Sequence, residues 1–200
     1  MNYYIADTHF GHENILRFDG RPFSSTEEME KEMIKRWNSI VTNQDKVYIL
    51  GDFCWGLSEC WLRILNKLKG QKFLIRGNHD LKQMNSEIKK KFINIKDYDK
   101  IMDGTRVVIL SHYPILFYQH DHNENVYMLH GHVHMTNENK QLEKIKSVIK
   151  KDAYETPFSN KCQLYNVGCM LPYMDYTPRT LDEIISCIST NERKEKDENN

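Results

Sequence analysis

Five short apolar runs, each followed within three residues by an aspartate, asparagine or histidine, constrain the fold of this chain more than any other feature. The runs are residues 2–6, 47–50, 72–75, 107–110 and 126–129. Each has the length of one buried strand, and apolar residues at helical spacing occupy several of the intervals between them. Alternating strands and helices predict an α/β fold, in which functional sites lie beyond the carboxyl ends of the strands. We therefore expect the five polar endings to converge on one site.

Capping residues and apolar periodicity predict where the helices lie. Ser25 followed by Glu28 has the pattern of a capping box and predicts a helix over residues 26–41. The helix expected near 138–151 fits an ordinary surface helix better than a lid or a partner face. We expect one domain over residues 1–190 and a charged, disordered tail over 191–200. Ser58 is predicted to cap a helix that runs through Leu68. Further helices are predicted over 83–93 and 180–188, and a further strand over 163–167.

Charge and composition exclude several classes of protein. The 28 basic and 28 acidic residues balance, so we expect no bulk attraction to nucleic acid or to an anionic membrane. The chain has no apolar run near the ~20 residues of a membrane span and no basic signal-peptide segment. Its five cysteines form no Cys-x-x-Cys pair, which favours free thiols in a reducing cytoplasm over cysteine-held zinc. The sequence therefore predicts a cytoplasmic protein with no membrane partner and leaves the oligomeric state open.

The polar endings of the runs carry side chains that suit a metal site. In an extended segment residues i and i+2 point to the same side, so Asp7 with His9 and His132 with His134 can each face one cavity. Seven ligands exceed the three or four that one ion takes from protein, but they suit two ions if one carboxylate bridges. Nitrogen and oxygen ligands without sulfur suit Mn, Fe, Zn or Ni. The seven candidates are Asp7, His9, Asp52, Asn78, His112, His132 and His134.

In its order and spacing this array resembles the calcineurin-like metallophosphoesterases. The resemblance is carried by Asp7-Thr8-His9, Gly51-Asp52, Gly77-Asn78-His79-Asp80, His112 and Gly131-His132-Val133-His134. It implies a fold of two packed mixed β-sheets flanked by helices. It also implies that Asp52 bridges two ions. One ion would take Asp7, His9, Asp52 and His134, and the other Asp52, Asn78, His112 and His132.

The resemblance further implies an enzyme, a phosphoric ester hydrolase with two divalent transition-metal ions. Mn²⁺ is expected ahead of Fe, Zn or Ni. A metal-bridging hydroxide would attack the phosphorus of a small phosphomonoester or phosphodiester in line. Asp52 and His79 would be the catalytic residues, with His79 stabilising the phosphate or protonating the leaving group. The alternatives are a nuclease of the same superfamily, which the neutral charge does not favour, and a non-catalytic protein-binding scaffold on this fold.

Trp55 departs from the family pattern, in which an aspartate often stands at this position and hydrogen-bonds the catalytic histidine. Asp80 or a backbone carbonyl is the candidate substitute for that partner of His79.

Three residues are the candidate substrate contacts: His12 and Arg17, in the loop after the first motif, and Asn78. Arg21 and Arg76 are weaker candidates, and Arg76 fits a structural ion pair equally well. His120-Asp121-His122 is interpreted as part of a polar loop.

Overall fold

Two four-stranded β-sheets with helices make up the fold in the computed structural model, which describes residues 1–81, 84–152 and 159–198. The strands are β1 (Asn2–Ile5), β2 (Lys46–Leu50), β3 (Gln71–Ile75), β4 (Phe92–Lys96), β5 (Tyr98–Asp103), β6 (Arg106–Ser111), β7 (Val126–His130) and β8 (Leu164–Asn166). The helices are α1 (Ile15–Phe18), α2 (Thr26–Ile40), α3 (Ser58–Leu65), α4 (Ser86–Lys89), α5 (Asn137–Asp152) and α6 (Leu181–Glu198). The predicted α/β class is confirmed.

The two sheets differ in strand direction. The first has the order β1-β2-β3-β4, and all of its strands are parallel. The second has the order β5-β6-β7-β8, with β5 antiparallel to β6 and the others parallel. Two packed sheets are confirmed, but among the described strands mixed pairing occurs in the second sheet only. The Ala6 N–H donates to the Val167 carbonyl at 2.8 Å, so the ends of β1 and β8 lie side by side.

The core lies between the sheets and under the helices. Ile5 of the first sheet and Val108 and Leu129 of the second are fully buried in one apolar cluster. Parallel strands covered on both faces read as continuous apolar runs, which is why the sequence identified most of them. None of the helices in the described part of the chain is both long and apolar enough to cross a membrane.

The start of α2 follows the predicted cap. The Ser25 hydroxyl accepts from the Glu28 N–H at 3.2 Å, and the Glu28 carboxylate accepts from the Ser24 N–H at 2.7 Å. At α3 the prediction was less accurate, because Ser58 is the first helical residue and the helix ends at Leu65.

Three predictions of secondary structure differ from the structure. Of the helix expected over 83–93, residue 83 lies outside the described residues, Ser86–Lys89 is helical, and Phe92 begins β4. β5 was not predicted. β4 and β5 both lie at sheet edges. They contain lysine or aspartate, which protect an edge from pairing and also mask an apolar pattern. α6 continues through residues 191–198, where a disordered tail was expected. The single domain stays a prediction.

Candidate metal centre

The predicted ligands come together in two groups at the carboxyl ends of the strands. In the first group, the ligand atoms of Asp7, His9, Asp52 and His134 all lie within 4.8 Å of one another. Asp52, His112 and His132 form the second group under the same limit. The two groups therefore contain six of the seven candidate ligands, and Asp52 belongs to both.

Asp52 occupies the position between the two groups. Its Oδ2 atom lies 3.6 Å from His9 Nε2 and 3.5 Å from His112 Nε2. Its Oδ1 atom accepts a hydrogen bond from the His79 N–H at 2.9 Å, which fixes the rotation of the carboxylate. One oxygen atom thus faces a histidine from each group.

The seventh candidate, Asn78, adds an amide oxygen to the second group. The Nδ1–H group of His112 donates a hydrogen bond to the Leu50 carbonyl at 2.9 Å, so the lone pair of the ring is on Nε2. That Nε2 atom lies 2.9 Å from Asn78 Oδ1. Burial lowers the pKa of His112, which keeps the ring neutral. Acceptor atoms of His112, Asn78 and Asp52 thus face one another, an arrangement that a cation stabilises.

The backbone is left-handed at five of the seven candidate ligands. Asp7 (φ 55°), His9 (φ 48°), Asp52 (φ 50°), His132 (φ 69°) and His134 (φ 43°) all have positive φ. Each such residue costs about 1–2 kcal/mol, and strain of this kind clusters at functional sites. The expectation that the Asp-x-His and His-x-His pairs lie in extended backbone is wrong. Left-handed residues on either side of Thr8 and Val133 direct these side chains to the centre.

Burial of charge provides a test of whether a cation fits. Asp7 is fully buried, and burial raises the pKa of its carboxyl to about 7. His9 Nε2 is buried and has no hydrogen-bond partner among the described residues. A buried carboxylate and an unpartnered imidazole nitrogen are costly unless something satisfies them. With nitrogen and oxygen donors only, the residues fit a divalent-metal centre.

Three motif glycines leave room for these close approaches. A Cβ atom at Gly77 would lie 2.3 Å from Asp52 Oδ1, and one at Gly51 would lie 2.3 Å from His112 Nδ1. A Cβ atom at Gly131 would lie 2.7 Å from Asp7 Oδ2. Gly77 does not have a positive φ, so its role is to leave space for Asp52 and not to supply a left-handed backbone.

Asp80 joins the second and third motifs. Its carboxylate accepts from the N–H groups of Gly77 at 2.8 Å, Phe53 at 2.9 Å and Asp52 at 3.2 Å. The carboxylate therefore holds the turn that carries Asp52. These bonds direct Asp80 to the backbone, so they argue against it as the substitute partner of His79.

Asp19 is a residue of the site that sequence reasoning missed. Its Oδ1 atom accepts from His134 Nδ1 at 2.8 Å, so that Nε2 of His134 faces the first group. Burial lowers the pKa of His134, but the hydrogen bond to Asp19 and the charges of Asp7 and Asp19 together raise it more, and the net shift is upward. Asp19 also pairs with the buried Arg21 at 2.9 Å. No spacing rule links Asp19 to His134, since they are far apart in sequence.

Arg21 supports the first motif and is not positioned as a substrate contact. Its guanidinium donates to the carbonyl oxygens of Asp7 and Thr8, each at 2.8 Å. Arg76 forms a bidentate pair with Asp97 at 2.8 Å, which is the structural alternative considered for it.

His79, Trp55 and His12 form an aromatic rim beside the first group. The Trp55 ring stacks on His12 with centroids 4.2 Å apart and lies 5.1 Å from the His79 ring. The His12 ring lies 5.4 Å from that of His9, so His12 is placed beside the site. Trp55, at the position where the family often has an aspartate, is 41% exposed.

The remaining candidates lie elsewhere. Arg17 is exposed, with its guanidinium 5.2 Å from the centroid of Phe18, and its substrate role stays a prediction. Neither His120 nor His122 belongs to the two metal-compatible groups found among the described residues.

Comparison with known proteins agrees with this geometry. A family model of the calcineurin-like phosphoesterases matches residues 3–161. An uncharacterized protein of Methanocaldococcus jannaschii is 32% identical over 188 residues, which cover 93% of this chain and 90% of that protein. The gene 66 protein of Mycobacterium phage L5 is 25% identical over 162 residues, which cover 66% of this chain and 76% of that protein. The crystal structure of a protein of unknown function from Aquifex aeolicus shares 28% identity with a TM-score of 0.66. It covers 94% of this chain and 98% of its own.

The extent of the family match decides the assignment. It begins in β1 and ends just before β8, so it contains every strand end that carries a candidate ligand. The resemblance seen in the motifs and the two-sheet architecture agree with it. The chain belongs to the calcineurin-like phosphoesterase family.

Proposed function

We propose that the chain is a metal-dependent phosphoesterase that hydrolyses a small phosphomonoester or phosphodiester. The observation that carries this proposal is the position of Asp52 Oδ2 between His9 and His112. A carboxylate shared by two ligand groups is what a centre with two ions about 3.5–4 Å apart requires.

The chain's residues divide between two ions in this proposal. Asp7, His9 and His134 would hold one ion, Asn78, His112 and His132 the other, and Asp52 both. When bound, two divalent ions supply Lewis acidity toward phosphate oxygens and lower the pKa of a bound water. We expect Mn²⁺ to activate best, with Fe, Zn or Ni as alternatives.

His79 is proposed to act on the substrate directly. Its backbone is held by Asp52, and its exposed ring lies 5.8 Å from that of His9. From there the imidazole can stabilise phosphate oxygens or give a proton to the leaving oxygen, a role worth typically ~10²–10⁴-fold. Trp55 borders the ring on one side.

A neighbouring cavity supports a small substrate. Its volume is about 560 Å³, and its lining includes Asn78, Tyr113 and Arg76. Sites for small molecules have volumes of about 300–1,000 Å³. A small ester with its phosphate at the two groups would extend its remaining atoms into this cavity.

Metal content and turnover test the proposal together. The purified chain should bind two ions and hydrolyse p-nitrophenyl phosphate or bis(p-nitrophenyl) phosphate with Mn²⁺, and the better substrate identifies the ester class. Asp52→Asn should lose both properties. Asp175→Asn, an exposed carboxylate paired with Arg36, is the matched control and should keep them. A chain that binds one ion or none and cleaves neither ester would refute the proposal and favour the scaffold.

A nucleotide-containing ester is the second candidate. Trp55 (41% exposed) lies beside His79, and Tyr113 (48% exposed) has its ring 4.5 Å from that of His132. Exposed aromatic rings beside a phosphate site can stack on bases. Trp55→Ala should then raise the KM for a dinucleotide and leave that for bis(p-nitrophenyl) phosphate nearly unchanged. Equal KM changes for both substrates would argue against base stacking.

A further inference from the structure

Two cysteines that are separated by five residues face each other behind the aromatic rim. The Cys54 Sγ–H donates to Cys60 Sγ with the sulfur atoms 3.2 Å apart. A disulfide bond has an S–S length of about 2.05 Å, so the two sulfur atoms need to approach by roughly 1.2 Å. Both cysteines are free thiols in the structure.

The surroundings of Cys60 favour its reaction as a thiolate. Arg63 donates to Cys60 Sγ at 3.4 Å, and Cys60 is half-buried whereas Cys54 is buried. The hydrogen bond from Cys54, and then Arg63, lower the pKa of the Cys60 thiol. Partly accessible cysteines next to a cation, with a second cysteine in reach, have the features of redox-sensitive thiols.

The segment between the cysteines can adjust to a closer approach. Residues 55–57 are exposed, and Gly56 has a φ of 110°, which a residue with a side chain rarely adopts. Movement of roughly one ångström in such a segment disturbs little buried surface.

We propose that Cys54 and Cys60 form a reversible disulfide under oxidation by a peroxide, and that this bond displaces Trp55 from His12. The Cys60 thiolate attacks one peroxide oxygen, giving a sulfenic acid and releasing the other oxygen as water after protonation. Cys54 then attacks the sulfenic sulfur, and the second oxygen leaves as water. Two thiols and one hydrogen peroxide thus give one disulfide and two waters, and a dithiol reverses the change.

The position of the pair connects this chemistry to the site. Cys54 directly precedes Trp55 and follows Asp52 by two residues. Cys60 Sγ also lies against the loop that carries His9 and His12, since a Cβ atom at Gly11 would be 2.9 Å from it. A bond between the two sulfur atoms would therefore tie the segment after Asp52 to α3 and shift the Trp55 ring.

Peptide mapping of the full chain tests the disulfide without reference to catalysis. Residues 47–63 contain both cysteines and no lysine or arginine before Arg63, so trypsin releases them in one peptide. After limited hydrogen peroxide and then alkylation in denaturant, this peptide should carry no alkyl group and be two hydrogen atoms lighter than the reduced peptide. Dithiothreitol before alkylation should restore two alkyl groups. Cys187, also half-buried, is the internal control and should stay alkylated.

Two further measurements sharpen the test. Cys60→Ser should leave Cys54 alkylated, and closure should be faster in the folded chain than in urea. Trp37 and Trp61 are buried, so acrylamide quenching of fluorescence reports chiefly on Trp55 and should change on oxidation. Equal closure rates in urea would overturn the claim that the fold holds the two thiols ready to react. Full alkylation of the peptide when Cys187 is already oxidised would overturn the disulfide. Unchanged quenching in the oxidised chain would overturn its link to Trp55.

Discussion

Replacing Asp19 by asparagine tests whether a residue that binds no ion itself positions a ligand. The Asp19 carboxylate is 5% exposed and lies 2.8 Å from His134 Nδ1. It also accepts from Arg21 Nε at 3.0 Å and from a terminal nitrogen at 2.9 Å. Asparagine keeps the shape but offers one acceptor oxygen and no charge.

The structure gives two magnitudes for this change. Removing one partner of a buried ion pair costs about 3–5 kcal/mol, and since asparagine keeps one hydrogen bond we expect the free energy of unfolding to fall by about 3 kcal/mol. The loss of the bond that orients a metal-binding histidine typically reduces metal affinity by about 10–100-fold. We therefore expect Mn²⁺ affinity to fall within that range, because His134 can then turn or carry its proton on the wrong nitrogen.

Urea unfolding and calorimetric Mn²⁺ titration measure the two effects separately. Asp175→Asn is the matched control, because Asp175 is 61% exposed and pairs with Arg36. It should cost under about 1 kcal/mol and leave Mn²⁺ affinity unchanged. Native Mn²⁺ affinity in Asp19→Asn, beside weakened affinity in His134→Asn, would refute the positioning role of Asp19.

Three further tests concern a motif glycine, the stability that metal binding adds, and the buried Lys72. Gly77→Ala should cost about 1–3 kcal/mol and weaken Mn²⁺ binding, because its Cβ atom would meet Asp52. Gly20→Ala is the matched control: it has open space around it, so it should lose about 1 kcal/mol through its φ of 60° and bind Mn²⁺ normally. Equal Mn²⁺ affinities of the Gly77→Ala and Gly20→Ala variants in calorimetry would contradict the role of Gly77. Mn²⁺ at 100 times its Kd should raise the free energy of unfolding by about 2.7 kcal/mol for each ion bound, and Asp52→Asn should show little of this gain in thermal melts. Burial lowers the pKa of Lys72 to about 8, so the unfolded chain binds more protons between pH 8 and 10.5 and stability should rise with pH there. After a discount for solvent screening this rise is about 1–2 kcal/mol, and a Lys72→Met variant with the same rise in urea titrations would exclude Lys72 as its source.

The strands that carry the site were predictable because they are covered on both faces. Their apolar residues run continuously to the polar endings, and the ends of parallel strands meet at one edge of a sheet. The edge strands β4 and β5 were not predictable in the same way, since apolar residues such as Ile93 and Met102 are exposed and polar or charged residues interrupt the apolar ones. Their pairing partners, and not their own sequences, make them strands.

The order of the motifs, the donor atoms and the strand ends that carry them were all predictable without the structure. These are properties of residue type and local spacing, which a linear pattern records. Only the tertiary structure decided that Asp52 Oδ2 lies between His9 and His112, that Asp19 holds His134, and that Cys54 faces Cys60. Each of these contacts depends on the φ and ψ angles of loop residues, several of them left-handed, and on distances that packing of the two sheets sets. Residues close in space but unrelated in spacing leave no mark in the sequence of a single chain.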